Sequence, residues 1–361
     1  MVWSRSFFAV SGFLITGILL SLRNCDSPYK TFYWRRALRI FPPYYLVFLI
    51  IEALTFLHGE RPTHNEQIAA GLLLSSLSRG FSLQLMWSRL FLHAGFYVPV
   101  QQLFHQGFEE FRYAKGIFWS LSVEEFFYLI WAPVVLRGSR RLILGFCILP
   151  LIVCPVFRAL NHAPGYPEAF NFLCRFDSLA VGGCVALLFA AVRRGHVSER
   201  LLNRSILLAL PASAVFLLVL IWRCGAFDGV EIHSSMVFAT FGFSMLAVFC
   251  ASVVAACARW SGSGWTRFLR FRPLVGLGTI SYMVYLIHIA VYTSAGLALS
   301  YFGVRTHVLG LQGLLAIPFV IGLAALSWRF FESPILALKD KRFGAATSRG
   351  FASSEGPAVA G

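Results

Sequence analysis

The sequence predicts an all-α fold, a polytopic bundle of transmembrane helices. Three observations carry that expectation. Hydrophobic residues make up 58% of the 361-residue chain and charged residues only 13%, at a mean hydropathy of +0.70, whereas soluble domains carry roughly 25% charged residues. Apolar windows of bilayer-crossing length, about 20 residues, recur from end to end. Lysines and arginines concentrate in alternate loops, as they do when one side of a membrane protein is kept positive. The net charge of +15 therefore reads as a topological signal for a lipid bilayer, with no nucleic-acid partner. The eight cysteines are scattered and form no C-x-x-C pair. No His/Cys cluster has zinc spacing, so neither a metal site nor a disulfide framework is expected.

Nine spans are expected, near 6–22, 37–57, 117–136, 142–160, 174–192, 206–223, 236–257, 279–300 and 308–331. The stretch 68–100 is apolar in patches but broken by Ser, Arg, His and Gly. It reads as part of a long external loop with an interfacial or re-entrant piece. Loops 23–39, 137–141, 193–205, 258–275 and the tail after 331 together hold 20 lysines and arginines, and the alternate set 58–116, 158–173, 223–235 and 301–307 holds 8. The first set is assigned to the cytoplasm, which puts the C-terminus inside and, with nine spans, residue 1 outside. The strong basic cluster then follows the first span, and the pattern asks for one more helix ahead of it. One membrane domain is expected over 1–342, with a small-residue, disordered tail over 343–361.

The candidate chemistry lies where polar residues interrupt these spans. In the first span, FFAVSGFLITG, Ser11 lies in the outer half and Ser11-Gly12 permits tight packing. In YWRRALRIFPPYY, Arg35, Arg36 and Arg39 stand at the cytoplasmic mouth of the second span, and Arg36 and Arg39 share a helix face. Guanidinium groups in that arrangement suit phosphates, of a lipid headgroup or of a nucleotide-bearing donor such as coenzyme A. The plainer reading is an ordinary basic anchor.

In WSLSVEEFF, Glu124 sits about two turns, or roughly 10 Å, into the third span. A carboxylate there is costly and needs a partner. Glu124 shares a face with Ser120 and Tyr128, and Glu125 lies about 100° round the helix. Either Glu124 serves the chemistry or it pairs with an arginine and fixes the helix. In FNFLCRFDSLAVGG, Arg175 and Asp177 are too close in sequence to share a face, so each reaches a different neighbour. Gly182 and Gly183 permit close helix packing. In GTISYMVYLIHIAVY, Ser281, Tyr285 and His288 form one polar stripe, with His288 near mid-span. It is either a functional histidine or a neutral one bonded to a backbone carbonyl or tyrosine.

Taken together, these stretches resemble the acyltransferase-3 family of bacterial membrane O-acyltransferases. FFAVSGFLIT is similar to its FFxxSGFLI span and RRALRIFPPYY to its RRxxRxxPxY segment. WSLSVEEFFYL is similar to WSLxxExxFY, with Glu124 on the matching glutamate. RFDSLAVGG, ISYMVYLIH and the closing WRFFESP, through Glu332 and Pro334, are similar to further family elements in the same order. The likeness runs from about residue 7 to 334.

The resemblance implies a ten-span bundle in a bacterial inner membrane. It implies transfer of an acyl group, usually acetyl, from cytoplasmic acyl-CoA to a hydroxyl of a cell-envelope or exported glycan, with no permanently bound cofactor. Arg35, Arg36 and Arg39 would hold the donor. Glu124 and His288 are the catalytic candidates. Ser11, Tyr128, Arg175, Asp177, Ser281 and Tyr285 are acceptor-side or supporting candidates. The family's first span carries an Arg and, further on, a His that serves as general base. This sequence starts at what would be the second span and has Arg5 where the family has Asp. The 361 residues alone are expected to show little transfer, and an upstream-extended form to be active. Two rival readings are a glycan or solute transporter and a non-catalytic remnant. Against the transporter, no paired Gly/Pro-interrupted spans are evident.

Overall fold

The computed structural model describes residues 2–57, 119–160, 175–224, 235–302 and 309–338. The expected re-entrant stretch 68–100 and the tail 343–361 lie outside these residues. Nine long α-helices occur among the described residues: α1 Val2–Leu22, α2 Pro28–Leu57, α3 Trp119–Arg137, α4 Arg140–Leu160, α5 Phe176–Arg193, α6 Glu199–Arg223, α7 Phe243–Arg259, α8 Arg272–Tyr301 and α9 Leu309–Ser327. A π turn, Phe238–Gly242, leads into α7; another, Trp328–Glu332, follows α9; and a 3-10 helix, Gly264–Arg270, precedes α8.

Each expected span overlaps one of these helices. Among the described residues, six segments are long and apolar enough to cross a membrane: α4, α5, α6, Phe238–Arg259, α8 and Gln312–Leu338. In α1 the apolar part is the shorter stretch Phe7–Leu22. The burial pattern suits a bilayer. Leu149, Ile152, Leu208 and Leu218 are exposed, while Thr16, Arg158, Asp177 and Ser178 are buried. Lipid tails solvate Leu and Ile as well as a protein core does, so polar and small residues turn inward. The chain is a multi-pass membrane protein.

Two compact units form. One is built from α1, most of α3, and α4 to α7; the other from α2, α8, α9 and the first residues of α3. In the first unit the closest crossing is α1 on α5. Gly12 and Gly182 make it possible. A Cβ on Gly12 would fall 2.8 Å from the carbonyl carbon of Leu179, and one on Gly182 2.8 Å from the amide nitrogen of Phe13.

Loops expected on one side of the bilayer meet in this unit. Arg23, just past α1, donates to the carbonyl of Gly138 between α3 and α4 at 2.9 Å, and Arg137 lies over the Tyr29 ring. Arg259 at the end of α7 bonds Asn203 and Glu199 on the first turns of α6. α6 itself starts at Ser198, whose hydroxyl accepts from the amide of Leu201, a normal N-cap.

In the second unit, Ile40, Tyr44, Val47 and Ile51 of α2 pack with Ile280, Met283 and Leu286 of α8 and Ala324 of α9. The hydroxyl of Tyr282 donates to the carbonyl of Ile40 at 3.1 Å. Pro42 and Pro43 lie inside α2. Each lacks an N–H, so the carbonyls four residues earlier, of Leu38 and Arg39, have no intrahelical donor. The weak point of α2 therefore coincides with its arginine cluster.

Candidate functional site

The first unit holds two adjoining polar clusters. The first grows from the α1–α5 crossing, which sets α1 against α3. Ser11 on α1 and Tyr128 on α3 share a hydrogen bond between their hydroxyls. Farther along both helices, the Trp131 indole N–H donates to Thr16 at 2.8 Å, and the Thr16 hydroxyl donates to the carbonyl of Gly12 at 2.7 Å. Glu124 lies one turn before Tyr128 on the same face of α3 and is 2% exposed; Glu125 is buried as well, at 9%. Two carboxylates, a serine and a tyrosine thus sit inside a helix bundle. There a polar group can take or give protons, and water is scarce enough to strengthen each interaction.

The second cluster lies at the ends of α4, α5 and α7. Arg158 and Asp177 form an ion pair at 2.9 Å with both side chains fully buried. A second Arg158 nitrogen donates to the carbonyl of Thr240 at 3.0 Å and to the Ser244 hydroxyl at 2.6 Å. Ser244 in turn donates to Asp177 at 2.7 Å, and the amide of Ser178 donates to its other oxygen at 2.8 Å. Thr240 belongs to the π turn before α7. A π turn displaces the usual i+4 donors, leaving a carbonyl to be met from elsewhere, and Arg158 meets it. Asp177 has bonds on both oxygens, as a buried carboxylate requires. Arg175 reaches a different neighbour: it is fully buried, with its guanidinium 5.6 Å from the centre of the Phe243 ring.

The second unit carries the other candidates. Arg35 and Arg36 are half-buried and Arg39 exposed on α2. Glu332 is buried in the π turn after α9 and accepts from Ser327 at 3.1 Å. On α8 the stripe Ser281, Tyr285 and His288 faces outward: Ser281 and His288 are exposed and Tyr285 half-buried. Ser281 donates to the carbonyl of Gly278. The Nδ1 of His288 is 2.7 Å from the carbonyl of Tyr285. A carbonyl only accepts, so Nδ1 is the nitrogen that carries a proton in this contact, which leaves Nε2 as the nitrogen able to act as a base.

Sequence reasoning missed Arg158, which it placed at the mouth of a loop, along with Thr16, Trp131, Thr240 and Ser244. One signal for Arg158 was present, since Asp177 needed a cation other than Arg175. Nothing local in the sequence says that the cation comes from 19 residues upstream.

A bundle of apolar helices with inward carboxylates, arginines and hydroxyls is the architecture of an intramembrane enzyme or transporter. Comparison decides the family. The family described as an acyltransferase domain matches residues 6–329, and the chain belongs to it. Among curated proteins, the peptidoglycan O-acetyltransferase OatA of Listeria monocytogenes is 24% identical over 350 residues, 91% of this chain and 50% of that protein. The putative peptidoglycan O-acetyltransferase YrhL of Bacillus subtilis is 27% identical over 297 residues, 78% of this chain and 42% of that protein. The O-acetyltransferase OatA of Staphylococcus aureus is 25% identical over 346 residues, 91% of this chain and 51% of that protein. The chain spans about half the length of these relatives. No solved structure matches it.

Proposed function

We propose that the chain is a membrane O-acyltransferase. In this reading it moves an acyl group, most simply acetyl, from cytoplasmic acyl-CoA to a hydroxyl of a cell-envelope glycan, with peptidoglycan the leading acceptor class. The observation that carries the reading is the family match over 6–329, joined to the O-acetyltransferase activity for which the relatives are named. The C-terminus is then cytoplasmic, and the membrane is the bacterial plasma membrane.

The chemistry asks for two things. The donor's phosphates need fixed positive charge, and Arg35, Arg36 and Arg39 supply it beside the proline break of α2. The acceptor needs a base. Its hydroxyl oxygen attacks the thioester carbonyl carbon, the new C–O bond forms, the C–S bond breaks, and the hydroxyl proton ends on the departing thiol. Two groups are suited to carry that proton. Glu124 is buried and sits one turn from the Ser11–Tyr128 pair. His288 is exposed, and its Nε2 is not the nitrogen engaged by the Tyr285 carbonyl. Each is a separate candidate, and acid–base help of this kind contributes roughly 10²–10⁴-fold. Arg175 and Asp177 are supporting residues in this scheme, since Asp177 is saturated by Arg158, Ser244 and Ser178.

The test uses the full chain in proteoliposomes with labelled acetyl-CoA and peptidoglycan fragments. Label on the glycan is the outcome that supports this reading. Glu124→Gln is expected to lose most turnover at unchanged acetyl-CoA affinity, and Arg36→Gln with Arg39→Gln to raise the KM for acetyl-CoA. His288→Gln is expected to lower kcat if that Nε2 is the base. Glycan crossing the bilayer with no acetyl-CoA consumed would replace this reading with the transporter. Near-wild-type rates in Glu124→Gln would leave that glutamate a structural role only.

A further inference from the structure

We infer that the segment Gly264–Arg272 is a membrane-surface anchor that binds the anionic headgroups of phospholipids. It reads GWTRFLRFR and joins two segments fit to cross the membrane, Phe238–Arg259 and Arg272–Tyr301. So short a connection must lie at the bilayer surface.

Its fold sorts its residues by face. A 3-10 helix has three residues per turn, so residues three apart stack along one ridge. Trp265 and Phe268 form one ridge, and Phe271 extends it through the 3.1 Å bond from its amide to the carbonyl of Phe268. Arg267 and Arg270 form a second. Thr266 starts the third and is buried, its hydroxyl 2.9 Å from the carbonyls of Trp260 and Ser263. Thr266 thereby pins the helix to the turn after α7 and leaves the other two ridges outward. Trp265 is 51% exposed and Phe268 and Phe271 61% each. The exposure continues without a break from Arg267 to Thr279.

What covers this surface follows from its charge. Arg267, Arg270 and Arg272 have no anionic partner among the described residues, and no acidic residue occurs anywhere between Glu231 and Glu332. The neighbouring Arg259 differs, since Glu199 and Asn203 hold it. Aromatic rings interleaved with free guanidinium groups fit the bilayer interface: the rings enter the headgroup–acyl boundary and the arginines meet phosphate. An apolar partner protein would leave three arginines unmatched. A zwitterionic surface would match the rings but not the excess charge.

The test uses the full chain in nanodiscs, with retained lipid read by native mass spectrometry against phosphatidylglycerol and phosphatidylcholine. The triple variant R267Q/R270Q/R272Q is expected to lose the preference for phosphatidylglycerol by about fivefold per arginine, about a hundredfold in all. W265A/F268A/F271A is expected to weaken retention of both lipids. An unchanged preference in the arginine variant overturns the inference. A second measurement needs no variant: a photoactivatable phosphatidylglycerol on the wild-type chain is expected to label residues 264–275. Labelling confined to other segments overturns it. So does loss of that labelling on adding soluble coenzyme A, which would assign the arginines to a nucleotide phosphate instead.

Discussion

Adding one methyl group at Gly12 tests how tightly α1 and α5 are held. A Cβ there would sit 2.8 Å from the Leu179 carbonyl carbon and 3.0 Å from its Cα, and nearer still to its oxygen, where 3.4 Å begins ordinary contact. These are backbone atoms, so no side chain can swing away. The helices must separate by at least the 0.6 Å difference between 3.4 and 2.8 Å. Overpacking of this kind costs about 1–3 kcal/mol.

Gly17 on the same helix has nothing within 4 Å of its Cβ position. Gly17→Ala should be neutral or gain up to about 1 kcal/mol from helix propensity. The two alanine variants should therefore differ by about 1–4 kcal/mol. Gly182→Ala meets the same helix from the other side and should cost as much as Gly12→Ala. The double variant should cost less than the sum, because the first methyl already opens the gap that the second needs. Separation would also stretch Thr16–Trp131 and Ser11–Tyr128. The measurement is SDS-titrated unfolding of the purified protein in mixed micelles, followed by tryptophan fluorescence. If Gly12→Ala and Gly17→Ala unfold at the same SDS fraction, the close crossing is not real.

Two further predictions concern the buried polar contacts. Arg158→Met leaves Asp177 without its cation and should cost about 3–5 kcal/mol, whereas Arg158→Leu with Asp177→Leu should cost much less than the two single changes together. Additive losses in the same titration would mean that the pair contributes no coupling. Thr16→Val removes the acceptor of the Trp131 N–H and the donor to Gly12, and should cost about 1–3 kcal/mol. Adding Trp131→Phe should recover part of that loss, since no buried N–H is then left unmet; a simple sum of the two effects would show that the bond is not made.

Much of the fold was legible because membrane helices announce themselves locally. Each span needs its own run of apolar residues, and each expected run overlaps a helix. The glycines at 12 and 182 also carried local meaning, as sites of close approach. The π turns did not. Phe238–Gly242 and Trp328–Glu332 read as unbroken helix, since a shift from i+4 to i+5 bonding leaves no compositional trace.

The candidate site was legible only in part. That Glu124 needed burial in company, and that Arg175 and Asp177 would part, followed from cost and helical geometry. The sequence by itself determined which residues are too polar for a bilayer and therefore must be matched. Only the tertiary structure decided the matches: Arg158 to Asp177, Trp131 to Thr16, and Tyr128 to Ser11. The same holds for His288, marked by sequence as an intramembrane histidine. Its Tyr285 contact decides which nitrogen is basic. The reason is physical. Desolvation cost belongs to a single side chain and can be read from its position, whereas the hydrogen bond that offsets it belongs to a pair, and the pair exists only once the helices have crossed.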